Sequence, residues 1–224
     1  MIKLTIDGKI VEVKEGTTIL EAARSVGIDI PAMCYCDNIV PPVSCFICVV
    51  KINGEERFIP SCATPARDGM VVDSNSDEVR NCRRQTLELM LSEHIAMPDG
   101  LKCKCASKRE CRLRAYAEEY GADPMRYAVE HRREETRKIY DSGLVHEPAK
   151  CIVCGKCINI TKAKNISPGL SFCARGSDLY VSAPFGHPFD NAMGEALQLC
   201  AELCPTGALW ITPKYGNDKS EQNS

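Results

Sequence analysis

MCYCDNIVPPVSCFICVV, residues 33–50, holds four of the chain's 15 cysteines, at positions 34, 36, 45 and 48. It has neither the two-residue period of a strand nor the 3.6-residue period of a helix, and Pro41-Pro42 at its centre forbids both, so it reads as a long loop. With Cys62 it gives the spacing Cys34-x10-Cys45-x2-Cys48-x13-Cys62. Four thiolates on one loop system suit a [2Fe–2S] cluster, whose plant-type pattern follows the same logic with a shorter first gap. Zinc knuckles pair two C-x2-C units, and here only one such unit exists. Cys36 competes with Cys34 for the first place, and spacing alone does not separate them.

The flanking sequence supplies a frame for that loop. Met1–Thr5 and Lys9–Val13 alternate like strands about Asp7-Gly8, a strong hairpin signal. Thr18 with Glu21 three residues on forms a capping box for a helix over Ile19–Val26, which Gly27 stops. Phe46–Asn53 and Glu55–Pro60 predict a second hairpin through Asn53-Gly54, with a last strand at Met70–Asp73. Two hairpins crossed by a helix describe a β-grasp, a ubiquitin-like roll of ferredoxin type, over residues 1–76. Residues 77–142 turn helical. Val79, Arg83, Leu87, Met90, Leu91 and His94 recur at helical steps, a second helix is expected over Glu110–Tyr120, and Asp123-Pro124 opens a third, rich in Arg and Glu. Residues 143–212 alternate short apolar runs with Gly, Pro and Cys, and the polar tail 213–224 is expected to be disordered. The fold class is α+β.

Composition narrows the function. Lys and Arg total 28 against 30 Asp and Glu, with one Trp, seven Tyr and five Phe. That balance excludes the basic face of a nucleic-acid binder, and the scarce aromatics exclude stacking platforms. The chain lacks an apolar run long enough for a membrane span, and its start lacks a secretory signal, so a cytoplasmic protein is expected. Fifteen thiols in a reducing compartment would not persist as disulfides, and an odd count could not pair fully, so metal is the expected use.

Two further constellations follow. The run Cys151-x2-Cys154-x2-Cys157, with Cys204-Pro205 far downstream, matches the bacterial ferredoxin pattern in which three ligands of one cluster are completed by a distant fourth. Counting back from Cys204 through a second such run reaches Cys200, Leu197 and Gly194, while the fourth position of the first run is Thr161. One [4Fe–4S] cluster on Cys151, Cys154, Cys157 and Cys204 is thus expected, in a two-cluster frame whose other cluster is gone. Between the two sets lie His94, Cys103, Cys105 and Cys111, a Cys3His set open to either a [4Fe–4S] cluster or zinc.

The motifs MCYCDNIVPPVSCFICVV, PSCATPARDGM, LELMLSEH, KCIVCGKC, RGSD and ELCPTGAL, in this order, resemble three related subunits. These are the iron–sulfur part of the large peripheral subunit of respiratory complex I, the N-terminal region of [FeFe] hydrogenases and the diaphorase iron–sulfur subunit of bidirectional NAD-linked [NiFe] hydrogenases. The resemblance spans Met1 to about Trp210. It implies a three-cluster relay: [2Fe–2S] on Cys34, Cys45, Cys48 and Cys62, with Cys34 preferred to Cys36; [4Fe–4S] on His94, Cys103, Cys105 and Cys111; and [4Fe–4S] on Cys151, Cys154, Cys157 and Cys204. Its implied partners are an FMN- and NAD(P)-binding flavoprotein, a small [2Fe–2S] subunit and a catalytic hydrogenase or dehydrogenase. Nucleic acid and direct membrane insertion are not implied. A complex I component is the related alternative, and a zinc-stabilised scaffold without redox role is the alternative of another class. The middle motif departs from the family: H-x3-C-x2-C-x5-C becomes H-x8-C-x1-C-x5-C. No active-site domain and no dinucleotide fingerprint appear, so a relay is expected rather than a catalytic site.

Overall fold

The apolar alternation that begins at Ile2 closes the first hairpin. In the computed structural model, which describes residues 1–92, 94, 111–127 and 137–212, β1 (Ile2–Ile6) pairs antiparallel with β2 (Lys9–Val13), Ile2 opposite Val13 and Ile6 opposite Lys9. Asp7 and Gly8 both take positive φ, 46° and 80°, as a two-residue turn matching strand twist requires. Leu4, Ile6, Val11 and Val13 point inward and are buried.

Helix α1 (Ile19–Ser25) is capped as its sequence dictates: the Glu21 N–H donates to Thr18 Oγ1, and Glu21 Oε2 accepts from the Thr18 N–H at 2.8 Å. Its buried face, Ile19, Leu20, Ala22 and Ala23, covers the sheet. That sheet is completed by β3 (Val49–Ile52), β4 (Ile59–Pro60) and β5 (Val71–Asp73), in the order β2-β1-β5-β3-β4 with β1 and β5 parallel. The second hairpin is shorter than expected, with strands Val49–Ile52 and Ile59–Pro60. The reason is local: Phe46 holds a positive φ of 51°, which ends any strand upstream of Cys48.

Helix α2 (Asp77–Ser92) ends before His94, whose N–H donates to the Leu91 carbonyl. It packs against α3 (Arg112–Tyr120), which starts two residues later than expected, with Cys111 as its N-cap, and stops at Gly121 in the left-handed region. Residues 124–127 form a turn in place of the start of a third helix, and the rest of that Arg/Glu-rich stretch lies outside the described residues, as does the tail.

The last unit is built from β6 (Lys138–Ile139), β7 (Leu144–His146), α4 (Lys156–Ala163), β8 (Ser171–Cys173), β9 (Tyr180–Ser182), α5 (Leu197–Leu203) and β10 (Leu209–Ile211). A three-stranded sheet runs β10-β7-β6, β8 and β9 form a separate hairpin, and α4 and α5 pack together. Among the described residues no helix is long and apolar enough to cross a membrane.

The α1 cap is directly testable. Thr18→Ala should lower the stability of the chain by about 1 kcal/mol in chemical denaturation, and Thr18→Ser should retain most of it.

Candidate metal centres

Four cysteines of the N-terminal set come together. Cys34, Cys45, Cys48 and Cys62 are all buried, whereas Cys36 is half-buried and aims its thiol at the Asp37 carbonyl. The sulfur of Cys34 lies within hydrogen-bonding reach of Cys45 and Cys62, and Cys62 within reach of Cys48. The contacts have opposite effects on donor and acceptor. The thiols of Cys45 and Cys62 hold Cys34 far below the ordinary thiol range, and Cys62 brings Cys48 down to about 7, while Cys45 and Cys62 are pushed well above it.

The loop that carries them is fixed from behind. Ser61 donates to the Cys48 carbonyl through both its N–H (3.1 Å) and its hydroxyl (2.7 Å). Tyr35, beside Cys34, donates its hydroxyl to Glu21 Oε1 at 3.0 Å, tying the loop to the capping residue of α1.

Cys151, Cys154, Cys157 and Cys204 line one cavity together with Cys200, Lys156 and Thr206. The turn Cys151–Gly155 is built from positive φ at Val153 (53°) and Gly155 (70°), and the Val153 N–H donates to Cys151 Sγ at 3.4 Å. Gly155 is needed for space as well: a Cβ there would lie 3.0 Å from Phe172 Cζ. Cys204 follows α5 directly and reaches the cavity as that helix's C-cap, its sulfur 3.9 Å from Thr206 Oγ1. Burial pushes the thiols of Cys154 and Cys200 up to about 12, and that of Cys157 well above its ordinary value. Burial by itself would keep the thiols of Cys154 and Cys157 protonated, and a metal centre bound there would favour their thiolate forms.

The positions that a second ferredoxin run would use, Thr161, Gly194, Leu197 and Cys200, are packed against the protein's own side chains. Thr161 is buried, donates to the Ile158 carbonyl at 2.9 Å and accepts from the Leu170 N–H at 3.2 Å. A Cβ on Gly194 would meet Ile166 at 3.5 Å. Leu197 and Cys200 lie in an apolar cluster with Ile160, Leu170 and Met193, and the Cys200 thiol donates to the Cys157 carbonyl at 3.8 Å.

Of the middle set, His94 and Cys111 are both buried, His94 just beyond the C-terminal end of α2 and Cys111 at the N-cap of α3. Cys103 and Cys105 lie outside the described residues. Cys111 belongs to the same apolar cluster as Cys34 and Cys45, against which Cys154 also packs.

The backbone next to the cysteines joins these centres. Ser44, which precedes Cys45, donates its hydroxyl to the Cys154 carbonyl at 2.7 Å. The Arg112 N–H, after Cys111, donates to the Pro205 carbonyl, after Cys204, at 2.9 Å. Asn159 of α4 donates to the Val40 carbonyl at 2.8 Å. Spacing carries no signal for these residues, because each acts through a neighbour of a cysteine and not through a donor type of its own.

The donors fit iron–sulfur chemistry: the N-terminal set is four buried thiols with no carboxylate or imidazole among them, and soft sulfur selects Fe–S clusters or zinc. Among the described residues no three of His, Cys, Asp and Glu converge on a single-ion position. The sulfurs instead touch in pairs along a chain from Cys45 through Cys34 and Cys62 to Cys48.

Comparison with known proteins agrees with this reading of the first domain. Residues 1–77 match the family model described as a 2Fe-2S iron-sulfur cluster binding domain. The chain is 37% identical over 214 residues to the NADP-reducing hydrogenase subunit HndD of Solidesulfovibrio fructosivorans, covering 93% of this chain and 36% of that subunit. It is 32% identical over 215 residues to the NADH-ubiquinone oxidoreductase 75 kDa subunit of Reclinomonas americana, covering 95% of this chain and 30% of the relative. Among solved structures, a chain of an NAD+-reducing [NiFe]-hydrogenase in the H2-reduced state matches with a TM-score of 0.76 and 29% identity, over 95% of this chain and 88% of that one. The chain therefore spans about a third of the length of these two curated relatives. Its homologues are subunits of NAD(P)-linked hydrogenases and of complex I-type oxidoreductases.

One anchor of the Cys151 turn can be tested. Buried Glu147 accepts from Lys150 Nζ (2.9 Å), Trp210 Nε1 (3.1 Å) and Arg137 Nη2 (3.0 Å). Burial alone would raise its carboxyl, but these donors override it and hold the group below its ordinary value. Glu147→Gln, which leaves Lys150 buried without its counter-charge, should cost about 3 kcal/mol at neutral pH. Because the folded value is the lower one, that stabilisation is lost as pH falls through it. The gap in denaturation midpoint between wild type and variant should therefore narrow in acid.

Proposed function

We propose that the chain is the iron–sulfur relay subunit of an NAD(P)-linked oxidoreductase, carrying electrons between a flavoprotein that reacts with nicotinamide and a catalytic partner of hydrogenase or formate dehydrogenase type. The observation that carries the reading is the joining of the cysteine-bearing loops: Ser44 to the Cys154 carbonyl and Arg112 to the Pro205 carbonyl. A zinc scaffold has no use for centres held against one another, whereas electron transfer depends on it. The homology to hydrogenase and complex I-type subunits supports the same reading.

In this reading Cys34, Cys45, Cys48 and Cys62 hold a [2Fe–2S] cluster and Cys151, Cys154, Cys157 and Cys204 a [4Fe–4S] cluster. His94 and Cys111, with Cys103 and Cys105, hold a second [4Fe–4S] cluster. Clusters of these types, when bound, accept and release single electrons. The protein's part is to bury the thiols away from water, to fix each loop from behind and to set the local charge. Ser61 and Tyr35 do the fixing around the first set, and the Glu147 hub does it beneath Cys151. The chain itself would work in the cytoplasm, beside a flavin- and nicotinamide-binding subunit and a small [2Fe–2S] subunit. The related reading as a complex I component would be favoured by co-purification with membrane subunits.

Protein purified without oxygen should be brown and contain about ten irons and about ten acid-labile sulfides per chain, the sum for one [2Fe–2S] and two [4Fe–4S] clusters. About six of each would remove the middle cluster, and zinc without sulfide would overturn the relay altogether.

Substitution separates the two neighbouring cysteines of α5 and its cap. Cys204→Ala should lose about four irons, whereas Cys200→Ala, whose thiol is already bonded to a carbonyl, should lose none. Equal loss from both would place the ligand set wrongly.

A further inference from the structure

We propose that Arg83 is the buried counter-charge of the group held by Cys34, Cys45, Cys48 and Cys62, and that it sets the reduction potential of that group. The inference rests on the [2Fe–2S] reading of those four cysteines.

Arg83 lies on α2 and is 1% exposed. A guanidinium keeps its charge at every physiological pH, so burial cannot neutralise it as it would a lysine. Its partners among the described residues are neutral. Nη2 donates to the Val49 carbonyl at 2.8 Å, and Nη1 to the Tyr120 hydroxyl at 3.0 Å. Nε, fully buried, has no partner. The nearby buried carboxylate, Glu88, is taken by Arg84 at 4.0 Å, Arg126 at 3.4 Å and the Asp123 N–H at 3.3 Å. A buried cation with no anion is among the more expensive arrangements a fold can hold, and it persists where something supplies the opposite charge.

Its position identifies that charge. Val49 directly follows Cys48. Strand β5 stops at Asp73, opposite Lys51, so the carbonyl of Val49 runs past the end of its neighbour and accepts from Arg83 instead. One turn further along α2, Leu87 packs in the apolar cluster that contains Cys34 and Cys45. Four thiolates around an iron–sulfur core make a net-negative group, and reduction adds one electron with no compensating proton. A cation in this poorly screened interior favours the more negative, reduced state, and so raises the potential.

The test uses the full chain, loaded and handled without oxygen, as wild type, Arg83→Met and Arg83→Lys. The [2Fe–2S] signal is followed by electron paramagnetic resonance during titration with dithionite. Arg83→Met should lower the equilibrium constant for reduction at least tenfold, about 59 mV for a one-electron couple. Arg83→Lys should lower it by much less, and the signals of the other clusters should stay in place. A second arm measures urea stability of each variant with the clusters loaded and after their removal by chelator. Arg83→Met should cost more in the loaded protein than in the cluster-free one. An unmoved potential at full [2Fe–2S] content, or an equal cost in both forms, would reduce Arg83 to a packing residue and overturn the proposal. A wild-type chain with no [2Fe–2S] signal would sink the site reading itself and this inference with it.

Discussion

Two hydrogen bonds between distant parts of the chain organise the molecule: the Ser44 hydroxyl to the carbonyl of Cys154, and the Arg112 N–H to the carbonyl of Pro205. Each joins a residue at or beside one cysteine of one set to a residue at or beside a cysteine of another. The β-grasp unit, the α2–α3 pair and the last unit meet through the loops that carry the thiols, and Pro42 packing toward Gly155 and Asn159 reaching Val40 reinforce the seam. Such a seam is demanding. The backbone of Cys151–Gly155 must turn twice through positive φ to offer its carbonyl and its sulfurs to different neighbours. Only a glycine at the second turn leaves room for Phe172.

Much of this is legible in the sequence because it depends on local chemistry. The Asp7-Gly8 hairpin and the Thr18–Glu21 capping box form where their residues stand, since both are satisfied within four residues. The separation of the N-terminal and C-terminal cysteine sets also follows from spacing. What spacing cannot decide is Cys34 against Cys36. In the structure the Cys34 sulfur is buried, while the Cys36 thiol turns toward the Asp37 carbonyl, with Tyr35 between them bonded to Glu21. The second hairpin reads too long because its alternation continues through Cys48 and Phe46, while the backbone at Phe46 has already left the strand. The start of α3 reads two residues early for a related reason: Glu110-Cys111 is compatible with a helix, but Cys111 is held outside it as the cap.

Charge is the part least visible in a sequence. Arg83 falls among the apolar positions of α2 and Glu88 outside them, and both side chains are buried. Glu88 gathers two arginines and a backbone N–H, while Arg83 gathers only neutral oxygens. Glu147 carries no pattern signal in the sequence and is the point at which Lys150, Arg137 and Trp210 meet. Periodicity identifies which face of an element is apolar, but not which charged residues are drawn beneath that face by partners far away in the chain.

The apolar filling around Thr161, Gly194, Leu197 and Cys200 has a consequence for direction. In a ferredoxin frame with two clusters, current can pass straight through the domain. Here the positions that a second run would occupy are packed among Ile160, Ile166, Leu170 and Met193. To an electron this packing is an insulator. On the proposed relay reading, a centre on Cys151, Cys154, Cys157 and Cys204 would exchange electrons only through the faces turned toward the rest of the chain and toward a docked partner.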